Sequence, residues 1–150
     1  MRHTKKRELI EPDDISVLLI EDTLEDGVAI TQGLLESELF YYFRIIREYS
    51  LKGGLELLKK QKFNVILLDL GLPDAKGLKA VNEIHSRHPD LPIVIISGYS
   101  DIDMIQEALE SGAEEFLVKG DSSPASIRQG IYQAIARKQI EASRNKGVKT

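Results

Sequence analysis

The chain has no cysteine among its 150 residues. No disulfide framework can therefore hold it together, which fits the cytosol. No apolar stretch approaches the ~20 residues of a membrane span, so a cytoplasmic protein without a membrane partner is expected. The start, Met1-Arg2-His3-Thr4-Lys5-Lys6-Arg7-Glu8, is basic but has no long apolar region behind it, so no secretory signal is expected. Neither sign of charge dominates. A net charge of -4 argues against general nucleic-acid binding. Basic residues gather at both ends (Arg2, Lys5, Lys6 and Arg7; Arg137, Lys138, Arg144, Lys146 and Lys149) and read as solvated ends rather than a phosphate-backbone site. Internal repeats and low-complexity segments are also missing. Gly53-Gly54 lacks the lysine and hydroxyl that should follow in a phosphate loop. His85 and His88 stand about one helical turn apart before Pro89, without a third ligand nearby, so charge at a helix end is preferred over a zinc pair. No serine-histidine-acid set fits the order of elements.

What is present is ordinary in amount and informative in arrangement. With 42% hydrophobic and 29% charged residues, the chain fits one domain with a real core. Residues 1–14 read as a polar arm ending in Glu11-Pro12-Asp13-Asp14. Short apolar runs follow at Val17–Ile20, Val65–Leu68, Ile93–Ile96 and Phe116–Val118, and Phe43 to Tyr49 reads as a further strand. Helical patterns separate them: one after Thr23, one weakened at its start by Gly53-Gly54, and one from about Leu78 to Arg87-His88, stopped by Pro89. Another has Ser100 or Asp101 as its cap and ends at Ser111-Gly112, and the last starts at Ser123-Pro124 and runs to about Ala142. Apolar runs alternating with helices are buried parallel strands, so the class is α/β.

The runs end on chemistry. Glu21-Asp22 follows the first, Asp69 the third strand, Ser97 the fourth and Lys119 the fifth. Ligands of such sheets sit beyond the carboxyl ends of the strands. One edge therefore collects three acids, a hydroxyl and an amine, the inventory of metal-assisted phosphoryl transfer. Taken singly, Asp69 is more readily a turn-capping acid, Lys119 a solvated strand end and Ser97 a loop hydroxyl. Their joint placement on successive strand ends reverses that reading.

The motifs Leu18-Leu19-Ile20-Glu21-Asp22, Ile66-Leu67-Leu68-Asp69-Leu70-Gly71-Leu72-Pro73-Asp74, Ile95-Ile96-Ser97-Gly98 and Phe116-Leu117-Val118-Lys119 occur in this order. Across about residues 15–138 the chain thereby resembles the response-regulator receiver domain, the phosphoacceptor module of two-component signalling. The resemblance implies a doubly wound, flavodoxin-like five-stranded parallel sheet in the order 2-1-3-4-5, with helices on both faces. It makes Asp69 the phosphoacceptor, served by a sensor histidine kinase or a histidine phosphotransfer protein. Glu21, Asp22, Asp69 and the backbone carbonyl of Gly71 would hold Mg²⁺, with Lys119 and the Ser97 hydroxyl on phosphoryl oxygens. Ser97 and Phe116 would form the switch, altering the surface of the fourth helix, fifth strand and fifth helix, through which a homodimer could form. Such a domain catalyses only its own phosphorylation and dephosphorylation and is not a turnover enzyme.

The chain departs from the family pattern in two places. Gly120 stands where many members have proline after the lysine, so a trans bond and a looser loop are expected. Tyr99 and Gly71 occupy the two positions that govern water access to an acyl phosphate. The receiver is expected over 15–142, with a polar tail over 143–150 and no DNA-binding domain within this chain. A free-standing regulator is favoured over the excised N-terminal receiver of a larger signalling protein. The competing class is a receiver-fold interaction module that works without phosphorylation. A metal-dependent phosphohydrolase is weaker still, because it needs a second acid where Gly71 stands.

Overall fold

The computed structural model describes residues 14–36, 43–98 and 102–149. The polar arm up to residue 13, Tyr99, and the expected helix caps Ser100 and Asp101 lie outside the described residues. Five strands, β1 (Ile15–Ile20), β2 (Phe43–Glu48), β3 (Val65–Leu68), β6 (Ile93–Ser97) and β7 (Glu115–Val118), form one sheet in the order β2-β1-β3-β6-β7. Every neighbouring pair in it is parallel. This is the expected 2-1-3-4-5 arrangement. The extra numbers belong to a small antiparallel pair, β4 (Gly71–Leu72) and β5 (Ala75–Lys76), inside a stretch that reads as loop in the sequence. Two residues per strand are too few to show any period.

Helices α1 (Leu24–Leu35), α2 (Leu51–Lys60), α3 (Leu78–Arg87), α4 (Ile102–Glu110) and α5 (Pro124–Lys149) cover the sheet on both sides. The strands read as unbroken apolar runs because both of their faces are buried. Along β1, Leu18 and Ile20 join Leu51, Leu55, Val81, Ile84 and Ala108 in the core under α2, α3 and α4. Val17 and Leu19 join Ile30, Leu34, Ile127, Ile131 and Ala134 under α1 and α5. The strand period of two thus feeds two separate cores.

Gly53 and Gly54 do not delay α2. The helix starts at Leu51, with the Ser50 side chain accepting from the Gly53 N–H. A Cβ on Gly54 would come within 2.5 Å of Ile20 Cδ1, so glycine is what lets the helix lie close on β1. Gly112, at φ 121°, follows α4 as a terminating residue should. The last helix passes its expected end near Ala142 and continues to Lys149. Glu141, Ala142, Arg144 and Lys146 are good helix formers and no proline follows them, so nothing in the polar stretch stops the helix. No helix among the described residues is long and apolar enough to cross a membrane.

Candidate functional site

The sheet reverses its direction of growth between β1 and β3, and in open α/β sheets this switch point opens a crevice beyond the strand ends. Glu21 leaves β1 there and Asp69 leaves β3. Both backbones stay in the ladder: Glu21 N–H donates to the Glu48 carbonyl at 3.0 Å, and Asp69 N–H to the Ile20 carbonyl at 3.0 Å. On the other flank Lys119 N–H donates to the Ser97 carbonyl at 2.8 Å. The strands deliver these residues to one edge whatever the loops do.

Oxygens of Glu21, Asp22 and Asp69 lie within 4.8 Å of one another, the one such group able to hold a metal ion among the described residues. Glu21 is fully buried and Asp69 nearly so, whereas Asp22 is exposed. Lys119 reaches across from β7. Its Nζ lies 2.7 Å from Glu21 Oε1, 2.9 Å from Asp26 Oδ2 and 3.5 Å from Asp69 Oδ1. The buried Glu21 Oε1 has the Lys119 ammonium as its charged partner at 2.7 Å. Glu21 Oε2 accepts from the Thr23 N–H at 3.1 Å. Three carboxylates with oxygens this close offer a set of hard oxygen donors, which suits a small divalent cation.

The charges follow from this packing. Burial lifts the Glu21 carboxyl above its ordinary value, and the Asp69 charge adds to that against the opposing pull of Lys119 and the Thr23 N–H. Burial alone would lower the Lys119 ammonium. Glu21, Asp26 and Asp69 outweigh it and hold the amine above the usual lysine range, so the cation is permanent at any ordinary pH.

Ser97 ends β6 and is buried, in register with Val118. Phe116 pairs with Ile95, is half-buried, and packs against the core under α2, α3 and α4. Gly71 is exposed at the start of β4, where a Cβ would sit 3.5 Å from Asp69 Oδ2, so glycine leaves the front of that carboxylate open. The Lys119–Gly120 bond is trans, as expected, and Gly120 has φ 85°, a conformation that favours glycine. Tyr99, the other position tied to water access, is outside the described residues. His85 lies away from the acids, against Gly112, where a Cβ would come 2.6 Å from its ring.

Three residues of this neighbourhood were not legible as such in the sequence. Arg47, on β2, donates to the carbonyls of Glu21, Thr23 and Leu24 at 2.5–3.3 Å, so one guanidinium holds the acid loop from outside. It lies 4.4 Å above the Tyr49 ring and crosses Gly27, where a Cβ would fall 2.2 Å from its Cζ. Asp26, in the first turn of α1, takes a share of Lys119. Asp74 accepts from the Leu51 and Lys52 N–H groups, both at 3.0 Å, and ties the loop after Asp69 to the start of α2. Desolvation would raise the Asp74 carboxyl, but those two donors outweigh it and hold it below the usual aspartate range. The only sequence signal for Arg47 is a charged residue interrupting a strand.

Comparison with known proteins agrees with this architecture. The family model described as the response regulator receiver domain matches residues 17–132. The chain is 33% identical over 123 residues to the transcriptional regulatory protein KdpE of Staphylococcus aureus, covering 80% of this chain and 52% of that protein. It is 40% identical over 70 residues to the response regulator protein PilR of Pseudomonas aeruginosa, covering 47% of this chain and 16% of that protein. The chain thus spans about half or less of the length of these curated relatives. A CheY-like receiver domain protein from Methanospirillum hungatei superposes with a TM-score of 0.71 at 22% identity, covering 85% of this chain and 98% of that one.

Proposed function

The chain belongs to the response regulator receiver domain family, and on that premise we propose that Asp69 accepts a phosphoryl group, in a Mg²⁺-dependent reaction, from a sensor histidine kinase or a histidine phosphotransfer protein. The observation that carries this reading is the meeting of Asp69, two further acids and one ammonium at a single crevice. A carboxylate oxygen of Asp69 attacks the phosphorus of the donor's phosphohistidine. The P–N bond breaks, the imidazole leaves with the bonding pair and takes up a proton, and an acyl phosphate remains on Asp69. Bound Mg²⁺ would be held by Glu21, Asp22, Asp69 and the Gly71 carbonyl, and supplies neutralisation of charge on the transferring group.

The remaining work falls to the chain's own residues. Lys119 balances negative charge on one side of the phosphoryl group, and the Ser97 hydroxyl donates a hydrogen bond to another of its oxygens. That pull on Ser97 leaves room for Phe116 to move inward, which changes the α4–β7–α5 face and its affinity for a partner, a second copy included. Ile102 and Leu109 give that face exposed apolar area. The receiver unit is assigned to 15–142, with the family match inside it. Incubation with Mg²⁺ and acetyl phosphate, read by intact mass, tests the assignment. Wild type should gain one phosphoryl group and Asp69→Ala none; equal labelling of both would refute it.

A further inference from the structure

Lys119 has more carboxylate partners than a phosphoryl clamp requires. Beyond Glu21 and Asp69, its Nζ meets Asp26 Oδ2 at 2.9 Å, and Asp26 stands outside the acid trio, in the first turn of α1. That contact is shorter than the 3.5 Å to Asp69 Oδ1. Three carboxylates thus share one ammonium, on a side chain that is 20% exposed. Resting on the phosphoacceptor reading, we propose that Asp26 is a positioning residue that holds the Lys119 ammonium toward α1 and competes for it with an anion bound at Asp69.

Removing the Asp26 charge then acts twice in one direction. It frees the lysine for the incoming anion, and it takes a negative charge out of that anion's neighbourhood. The Asp26 side chain is 44% exposed, so the pair is partly screened, and its loss should tighten anion binding by about two- to five-fold. A cation gains nothing from losing a nearby acid. Anion and cation affinities therefore separate, which a merely structural role for Asp26 would not produce.

The test titrates beryllofluoride, a phosphoryl mimic, into the full chain at saturating Mg²⁺, and Mg²⁺ alone in parallel, both followed by two-dimensional amide spectra. Asp26→Asn and, as a second variant, Asp26→Ser should bind beryllofluoride about two- to five-fold tighter and Mg²⁺ no tighter. Glu25→Gln makes the same charge change on the neighbouring exposed residue and should shift beryllofluoride affinity much less. Unchanged or weaker beryllofluoride binding in both Asp26 variants overturns the proposal, as does equal tightening by Glu25→Gln or parallel tightening of Mg²⁺. A wild type that binds no beryllofluoride overturns the phosphoacceptor reading and this proposal with it, whereas failure in the Asp26 variants alone overturns only the role of Asp26.

Discussion

Millimolar Mg²⁺ should raise the melting temperature of this protein, and Asp22→Asn should remove most of the rise. Three carboxylates have oxygens within 4.8 Å of one another. At that separation and an effective dielectric of ~20, two full charges repel by about 3 kcal/mol. Lys119 is one ammonium set among these acids and Asp26, so negative charge remains uncompensated. Asp22 is the exposed member of the trio, hence the one whose removal least disturbs packing. At ten times its dissociation constant a bound ion adds about 1.4 kcal/mol to folding. For a chain of this size that corresponds to about 3–6 °C. Asparagine at position 22 removes a charged ligand, and a ten-fold loss of affinity leaves about 0.4 kcal/mol, or about 1–2 °C, at the same Mg²⁺ concentration. Differential scanning calorimetry with and without Mg²⁺, at matched ionic strength, reads both numbers. A wild-type melt that does not move up to tens of millimolar, or an equal shift in Asp22→Asn, would show that these acids do not form a cation site.

Two further predictions concern the groups around the acids. Arg47→Met removes the guanidinium from three carbonyls of the acid loop and should lower stability by about 1–2 kcal/mol in a denaturant melt, with weaker Mg²⁺ binding. Gly27→Ala should copy it, because the new methyl group displaces the same guanidinium; additive losses in the double variant would contradict the shared cause. The Glu21 carboxyl is raised above 4.5, so the fold prefers it protonated. Its contribution is complete below about pH 4.5 and is lost as pH rises through the higher folded value. Metal-free wild type should therefore lose melting temperature relative to Glu21→Gln as pH rises above about 4.5, and a flat difference would count against the burial cause.

Much of the fold could be read from the chain because each central strand is buried on both sides, and an apolar run bounded by turn formers has few other meanings. Strand order is another matter. It entered through the family motifs, since nothing in Phe43–Glu48 says that it pairs with β1 rather than another strand. The acids, Ser97 and Lys119 were legible because each directly ends or follows a run. Arg47, Asp26 and Asp74 were not, because the groups they hydrogen-bond are 22 to 93 residues away in sequence. Asp26 acquires its contact only when α1 is laid beside the end of β7. The end of α5 was misjudged for a simpler reason: the apolar pattern fades after Ile140, but helix formers do not.

The amides of residues 21, 69 and 119 are bonded to neighbouring strands although each residue lies one position past its own strand. The pocket floor is therefore an extension of the sheet. Its main chain is tied by the same kind of interstrand bond that joins the strands themselves. A ligand entering this pocket therefore meets a main-chain frame already set by the strands.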